Sequence, residues 1–338
     1  MANIMVNEAC NLHCPYCFAE EFVNKNPKEM TVEDFRKALA FALSDSGERQ
    51  VGIIGGEPLL YTHIDEVMRI ALDDPRTEYV MIYTNAVELD RLAPDILENP
   101  KFRMLVNCNS PEDIGQVAFE KMRRNLLWFA GEHSGTRRFR LSVNLYKPDF
   151  DYSYVIPFMD EIDFDVVRLS VSVPQKGDLK GKTPLEYFHE MKLVAMRFVC
   201  DMVRCSVMTG FDCNFLPECV LTEAEIESLL PAKDVFYKAL SGMYSDMFWR
   251  RTIVCDLHNC SPVIDILPDL KAIRCFGLSE YTKCDIRDFS SITELAEYYI
   301  HTVDRPACGV ASSPECKDCS SCINGECSGG CLLFKMNT

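Results

Sequence analysis

The sequence predicts an α/β protein: a partial (β/α)6 barrel, open on one side, followed by a cysteine-rich C-terminal domain. Two observations predict it. Six short apolar runs alternate with segments of helical periodicity between Ala2 and Val173, the pattern of parallel βαβ units, and six strands fall short of a closed eight-stranded barrel. The chain also has 18 cysteines, and ten of them lie between Cys255 and Cys331.

Residues 2–8 are short, apolar-rich and able to form a buried strand. Cys10, Cys14 and Cys17 then sit on a loop leaving its C-terminal end, where α/β barrels place their chemistry. Thr31 reads as an N-cap with Asp34 three residues on, and Phe35, Leu39 and Ala42 repeat on one helical face. Val51–Ile54 is the second strand, left through Gly55-Gly56-Glu57-Pro58. Thr62 is expected to cap a helix carrying Ile64, Val67, Ile70 and Ala71. Strand Tyr79–Tyr83, a helix near 88–97 and strand Arg103–Asn107 continue the series. Ser110-Pro111-Glu112-Asp113 starts a helix running to about Phe129, with proline in the first turn and acid at the positive end. Strand Phe139–Leu145, a helix over 151–161 and strand Val166–Val173 complete it.

Leu185–Cys205 has helical spacing, Phe211–Leu221 is apolar but interrupted by Pro217, and Thr222 starts another helix with Glu225 in the capping-box position. The expected domains are a barrel over 1–205, a bridging segment over 206–250 and a cysteine-rich domain over 251–338.

Three thiolates spaced C-x3-C-x2-C can hold three irons of a cubane [4Fe–4S] cluster and leave the fourth for a small chelating molecule. Electron-carrying clusters use four cysteines, so three read as a catalytic site; the competing readings are a zinc site or chance clustering. In the second loop, two glycines allow close backbone approach to a ligand, Pro58 fixes the turn, and Glu57 can accept from an ammonium group.

These residues resemble those of the radical S-adenosylmethionine (SAM) enzymes: the cysteine triad with Tyr16 at its aromatic position, and Gly55-Gly56-Glu57-Pro58 as the SAM-amine motif. The resemblance implies a partial barrel whose unique iron chelates SAM. The reduced cluster would cleave SAM to methionine and a 5′-deoxyadenosyl radical, which abstracts a substrate hydrogen. It also implies SAM contacts at the strand ends: Thr84, Asn85, Asn107, Asn144 and Ser170. Polar residues cap strand ends in any case, so each has a plain structural reading too.

Composition agrees. With 338 residues, 48% of them hydrophobic, the chain is long enough for a barrel and a second module. A net charge of −16 predicts a soluble protein that binds neither nucleic acid nor membrane. The chain opens on no signal-like segment and carries no 18-residue apolar run, so a cytoplasmic location is expected. Cysteines there point to metal rather than disulfides.

Cys260 and Cys275 flank a stretch that reads as a hairpin with a Pro268-Asp269 turn, which would bring the two together. Cys316, Cys319, Cys322, Cys327 and Cys331 follow at ligand-loop spacings. This region resembles the SPASM module of many radical SAM enzymes, with departures. Leu270 stands where that family has glycine, seven residues separate Cys319 from Cys327 where five are usual, and no cysteine follows Cys331. The resemblance implies two auxiliary [4Fe–4S] clusters: an inner one on Cys255, Cys260, Cys275 and Cys331, and an outer one on Cys316, Cys319, Cys322 and Cys327, with Cys308 as rival. A zinc ribbon on the same cysteines is the competing reading.

Arg168 lies in an apolar run and is expected to pair with a carboxylate, either at the site or structurally. Cys213 and Cys219 read as small buried hydrophobes or, alternatively, as radical-quenching thiols; Cys108, Cys200, Cys205 and Cys284 read as core. The function expected is a radical SAM oxidoreductase or peptide maturase that forms a thioether or carbon–carbon crosslink or oxidises a side chain of a ribosomally made peptide. Flavodoxin or ferredoxin would supply electrons. Only nine residues precede Cys10, so a separate protein is expected to bind the leader, or the substrate is small. The alternatives are a small-molecule dehydrogenase and a non-catalytic iron–sulfur or zinc scaffold, against which the intact second loop argues.

Overall fold

A computed structural model describes residues 2–45, 50–133, 138–173, 179, 181–211, 216–229, 263–308, 310–324, 327 and 331–336. Cys213, Cys255 and Cys260 lie outside these residues, as does the side chain of Cys308. The chain divides into two compact units, one of residues 1–140 and 262–303, the other of 141–261 and 304–338.

The first unit is built on parallel strands. β1 (Ala2–Met5) pairs with β2 (Gln50–Ile54), β2 with β3 (Tyr79–Thr84), and β3 with β4 (Phe102–Asn107), all parallel. β1 is buried along its whole length, as expected of a central strand covered on both faces. Helices form the crossovers. α1 (Val32–Ala42) begins where Thr31 accepts from the Asp34 N–H at 3.1 Å, and it buries Phe35, Ala38, Leu39 and Ala42. α2 (Ile64–Asp73) begins one residue later than expected: His63, not Thr62, stands at its N-cap and makes no side-chain cap bond. The helix near 88–97 is a 3-10 turn, Leu89–Arg91, followed by α3 (Pro94–Glu98).

The helix started by Ser110 is broken. Gly115 adopts φ +79, outside the range of a right-handed helix, and splits the segment into α4 (Pro111–Ile114) and α5 (Gln116–Glu132).

The hairpin predicted around Pro268-Asp269 is present: β8 (Ile264–Ile266) and β9 (Lys271–Ile273) pair antiparallel, and β9 pairs with the short β10 (Cys284–Asp285). Leu270 takes φ +61 at the turn, a left-handed conformation that costs a leucine about 1–2 kcal/mol and that glycine adopts freely. β8 runs parallel to β1, with Asn3 opposite Asp265, and the Asn3 amide donates to that buried carboxyl at 2.7 Å. The hairpin therefore packs with the first 140 residues.

In the second unit β5 (Phe139–Leu145) pairs parallel with β6 (Val166–Val171), and α6 (Val155–Glu161) connects them. α7 (Pro184–Arg204) follows, with a full capping box between Thr183 and Glu186. It leads into a seventh parallel strand, β7 (Met208–Phe211), beside β6, within the stretch expected to be only a bridge. Among the described residues no helix is long and apolar enough to cross a membrane.

Candidate active site and cysteine centres

The cysteine triad occupies the loop leaving β1. Asn24 holds it from outside: its side-chain oxygen accepts from the Cys10 N–H at 2.9 Å, and its amide donates to the Cys10 carbonyl at 3.1 Å. Asn24 reaches this position at φ +58, which asparagine tolerates better than most residues. The Cys17 N–H donates to the Cys14 carbonyl, closing the turn that carries the second and third thiols. All three thiols are half-buried. Burial pushes Cys10 up to about 11 and Cys14 up to about 12, and raises Cys17. Cys14 also feels the charges of Cys10 and Cys17, so the three form one electrostatic group. Among the described residues, no three His, Cys, Asp or Glu side chains converge on a point fit for a single metal ion. A cubane does not need that convergence, because each thiolate binds its own iron. The donor set therefore fits a cluster with three protein ligands, and loading it must displace three protons.

The second loop is fastened to the first. The Gly56 N–H donates to the Asn7 carbonyl at 2.9 Å, the Glu57 N–H to the Ala9 carbonyl at 2.8 Å, and the Asn7 amide to the Glu57 carbonyl at 3.0 Å. This contact explains the glycines. A Cβ on Gly55 would stand 2.1 Å from the Asn7 side-chain oxygen, and one on Gly56 would stand 2.4 Å from the Ala9 carbonyl oxygen and 3.0 Å from the Cys10 nitrogen. The two glycines thus allow the second loop to approach Asn7, Ala9 and Cys10 closely. Gly56→Ala is expected to destabilise the protein by about 1–3 kcal/mol and to lower iron bound at the triad, as denaturant unfolding and iron analysis would show.

Glu57 is 1% exposed. Its oxygens accept from the Thr84 hydroxyl at 2.6 Å, the Asn85 N–H at 2.8 Å and the Leu59 N–H at 3.1 Å. Burial pushes the carboxyl up to about 7, against the pull of those donors. A carboxylate engaged in this way positions the loop against the end of β3. Asn85 extends the same network, since its amide donates to Asn11 on the cysteine loop at 2.9 Å. The Tyr16 hydroxyl donates to Asn109, a buried residue just beyond β4 that the sequence reading passed over. Asn107 is half-buried at the end of β4. In the second unit, Ser170 on β6 donates to Asn144 on β5, its register partner. Arg168 is half-buried on β6.

The distant cysteines fall in both units. Cys275 lies in the first unit, just after β9, and begins the turn Phe276–Leu278. Phe276 packs edge-on against Phe18 at 5.0 Å and Phe22 at 5.9 Å, in a cluster with Met5, Ile54 and Ile273 against which Cys17 lies. Cys331 belongs to the second unit. Cys316, Cys319, Cys322 and Cys327 gather there, close enough for Cys322 to feel the charges of the other three. Cys108 is buried, as expected of a core residue, but Cys205 is exposed at the end of α7, and Cys200 and Cys284 are only half-buried. Cys219 is exposed and is not a small buried hydrophobe.

Residues 4–152 match the family model of the Radical SAM superfamily. Among curated proteins, the chain is 39% identical to the GTP 3′,8-cyclase of Chlorobaculum tepidum over 95 residues, 28% of each protein. It is 34% identical to the GTP 3′,8-cyclase of Listeria welshimeri over 108 residues, 32% of each. The match thus spans a third or less of those relatives' own length. Among solved structures, Streptococcus suis SuiB bound to S-adenosylmethionine aligns at a TM-score of 0.62 and 15% identity, covering 98% of this chain and 72% of that one. SuiB bound to its precursor peptide SuiA aligns at 0.60 and 17% identity, covering 98% and 71%. At these identities the likeness is one of fold, and it extends through the cysteine-rich C-terminal region. Residues 4–152, which carry the cysteine triad and the loop fastened to it, are thus a Radical SAM domain by family model.

Proposed function

We propose that this radical SAM enzyme modifies a ribosomally made peptide, with auxiliary [4Fe–4S] clusters on its later cysteines. When bound, the triad's cluster and SAM supply an electron and a 5′-deoxyadenosyl radical that removes a substrate hydrogen. The chain's own residues prepare that site. Cys10, Cys14 and Cys17 hold the cluster, with Asn24 fixing the Cys10 peptide. Glu57, Thr84 and Asn85 fix the second loop against the end of β3. The polar groups of Asn107, Asn144 and Ser170 are proposed SAM contacts.

The observation that carries the peptide reading is the fold likeness to SuiB over nearly the whole chain, with the cysteine-rich region included. SuiB has been solved with a precursor peptide. The second reading, a cyclase-type reaction on a nucleotide, is favoured by the 39% identity to GTP 3′,8-cyclase. That similarity covers only 28% of the chain, and a net charge of −16 does not suit recognition of a triphosphate. A cytoplasmic location, an external flavodoxin or ferredoxin and a separate leader-binding protein belong to the same proposal.

The test is anaerobic incubation with SAM and reductant, with either a short peptide encoded beside this gene or GTP as substrate. A peptide product with the mass change of a crosslink or an oxidation, formed together with 5′-deoxyadenosine, is expected. Turnover of GTP and not of the peptide would overturn the reading.

A further inference from the structure

The loop that carries the triad rests on a segment from far along the chain, outside residues 4–152. Residues 17–23 form one tight turn. The Glu20 N–H donates to the Cys17 carbonyl at 3.2 Å, and the Phe22 and Val23 N–H groups donate to the Ala19 carbonyl at 2.9 and 3.0 Å. The seat of this turn is Phe276–Leu278 and the residues just after it, in the same compact unit.

Phe276 is the centre of the seat. Its ring is buried and meets Phe18 edge-on at 5.0 Å and Phe22 at 5.9 Å, the geometry aromatic pairs prefer. Two polar contacts flank the rings: the Ser279 hydroxyl donates to the Glu21 carboxylate, and the Lys283 ammonium stands 5.8 Å over the Phe22 ring. The Cys17 side chain packs against the apolar cluster that Phe276 forms with Met5, Ala19, Ile54, Leu267 and Ile273. Phe18, the residue after Cys17, is 53% exposed, so half of its surface meets solvent and the edge of Phe276 orients its ring.

The seat is braced from behind. The Arg274 N–H donates to the Thr282 hydroxyl at 3.1 Å, that hydroxyl donates to the Leu278 carbonyl at 2.9 Å, and the buried Tyr299 hydroxyl donates to the Thr282 carbonyl at 3.0 Å. The pairing of β8 with β1 fixes the hairpin before it to the strand from which the triad's loop leaves. A half-exposed turn thus leans on a buried, hydrogen-bonded one. We propose that Phe276 is a positioning residue of the triad's site: its ring fixes the turn 17–23, and through it the Cys17 thiol, in the orientation that the SAM-binding cluster needs.

The inference rests on the triad as the cluster site, and the test separates the two claims. Full-length protein is reconstituted anaerobically, and 5′-deoxyadenosine formation is measured with SAM and reductant alone. Phe276→Leu keeps apolar bulk and loses the ring edges. It is expected to slow cleavage about three- to tenfold, the size that follows from losing an edge-on ring contact, with iron content unchanged. The electron paramagnetic resonance signal of the reduced cluster with SAM is expected to change as well. Phe276→Tyr, which keeps the ring, is expected to restore rate and signal. Phe18→Leu is expected to give the same loss from the other side, and the double variant no more than either alone. Circular dichroism matching the wild type shows that the fold survives each change. Wild-type cleavage and signal in folded Phe276→Leu, or losses that multiply in the double variant, overturn this assignment alone. Phe18 is half-exposed, so Phe18→Leu carries the test if Phe276→Leu does not fold, and wild-type behaviour there overturns the assignment too. Cleavage that persists in Cys14→Ala overturns the triad as the cluster site and this assignment with it.

Discussion

Cys14→Ala is expected to reduce 5′-deoxyadenosine formation to background in anaerobic assays with SAM and reductant. Cys14 is the middle thiol of the triad and is charge-coupled to both others. Its loss leaves two protein ligands for a cluster that already keeps one iron free, so the effect is a missing cofactor and not a slowed step. Iron analysis should show about four atoms fewer than in the wild type, with about twelve expected in total for three cubanes. The variant should stay folded, because Cys14 is only half-buried and the loop's anchors at Asn24, Asn7 and Asn85 remain. Continued SAM cleavage would refute the triad as the cluster site.

Cys275→Ala is expected to abolish modified product while 5′-deoxyadenosine still forms. The inner auxiliary cluster would lose a ligand, and the radical generated at the triad would go unused or be quenched. The sequence alone suggested that Cys275 belongs to a separate module. The structure places it in the triad's own unit, with Phe276 packed on Phe18 and Phe22 of the cysteine loop. The substitution keeps Phe276, so that packing survives, and iron at the triad provides the control. Normal product formation by the folded variant would show that the inner cluster is dispensable.

Features that depend on near neighbours in sequence could be read without a structure. The three cluster thiols share one loop, so their spacing alone marks them. Thr31 bonds to the N–H three residues on, and Thr222 and Glu225 cap each other, because a cap is completed within one turn. Apolar runs identified β1 to β6, since a strand buried on both faces needs apolar side chains throughout. The break at Gly115 is also local, but a single glycine inside a helical pattern is tolerated often enough that only the observed φ of +79 settles it.

The sequence by itself thus determined the alternating α/β fold, the Radical SAM domain and the single loop that carries Cys10, Cys14 and Cys17. Tertiary structure alone decided the rest. Gly56 is small because Ala9, 47 positions earlier, lies against it; Glu57 is a positioning group because Thr84 and Asn85 close over it; Cys275 shares a unit with the triad because β8 pairs with β1. Each of these is a contact between residues far apart in the chain. Spacing carries information only within a turn or a loop, whereas a distant contact exists only once strand pairing and helix packing have brought the two segments together.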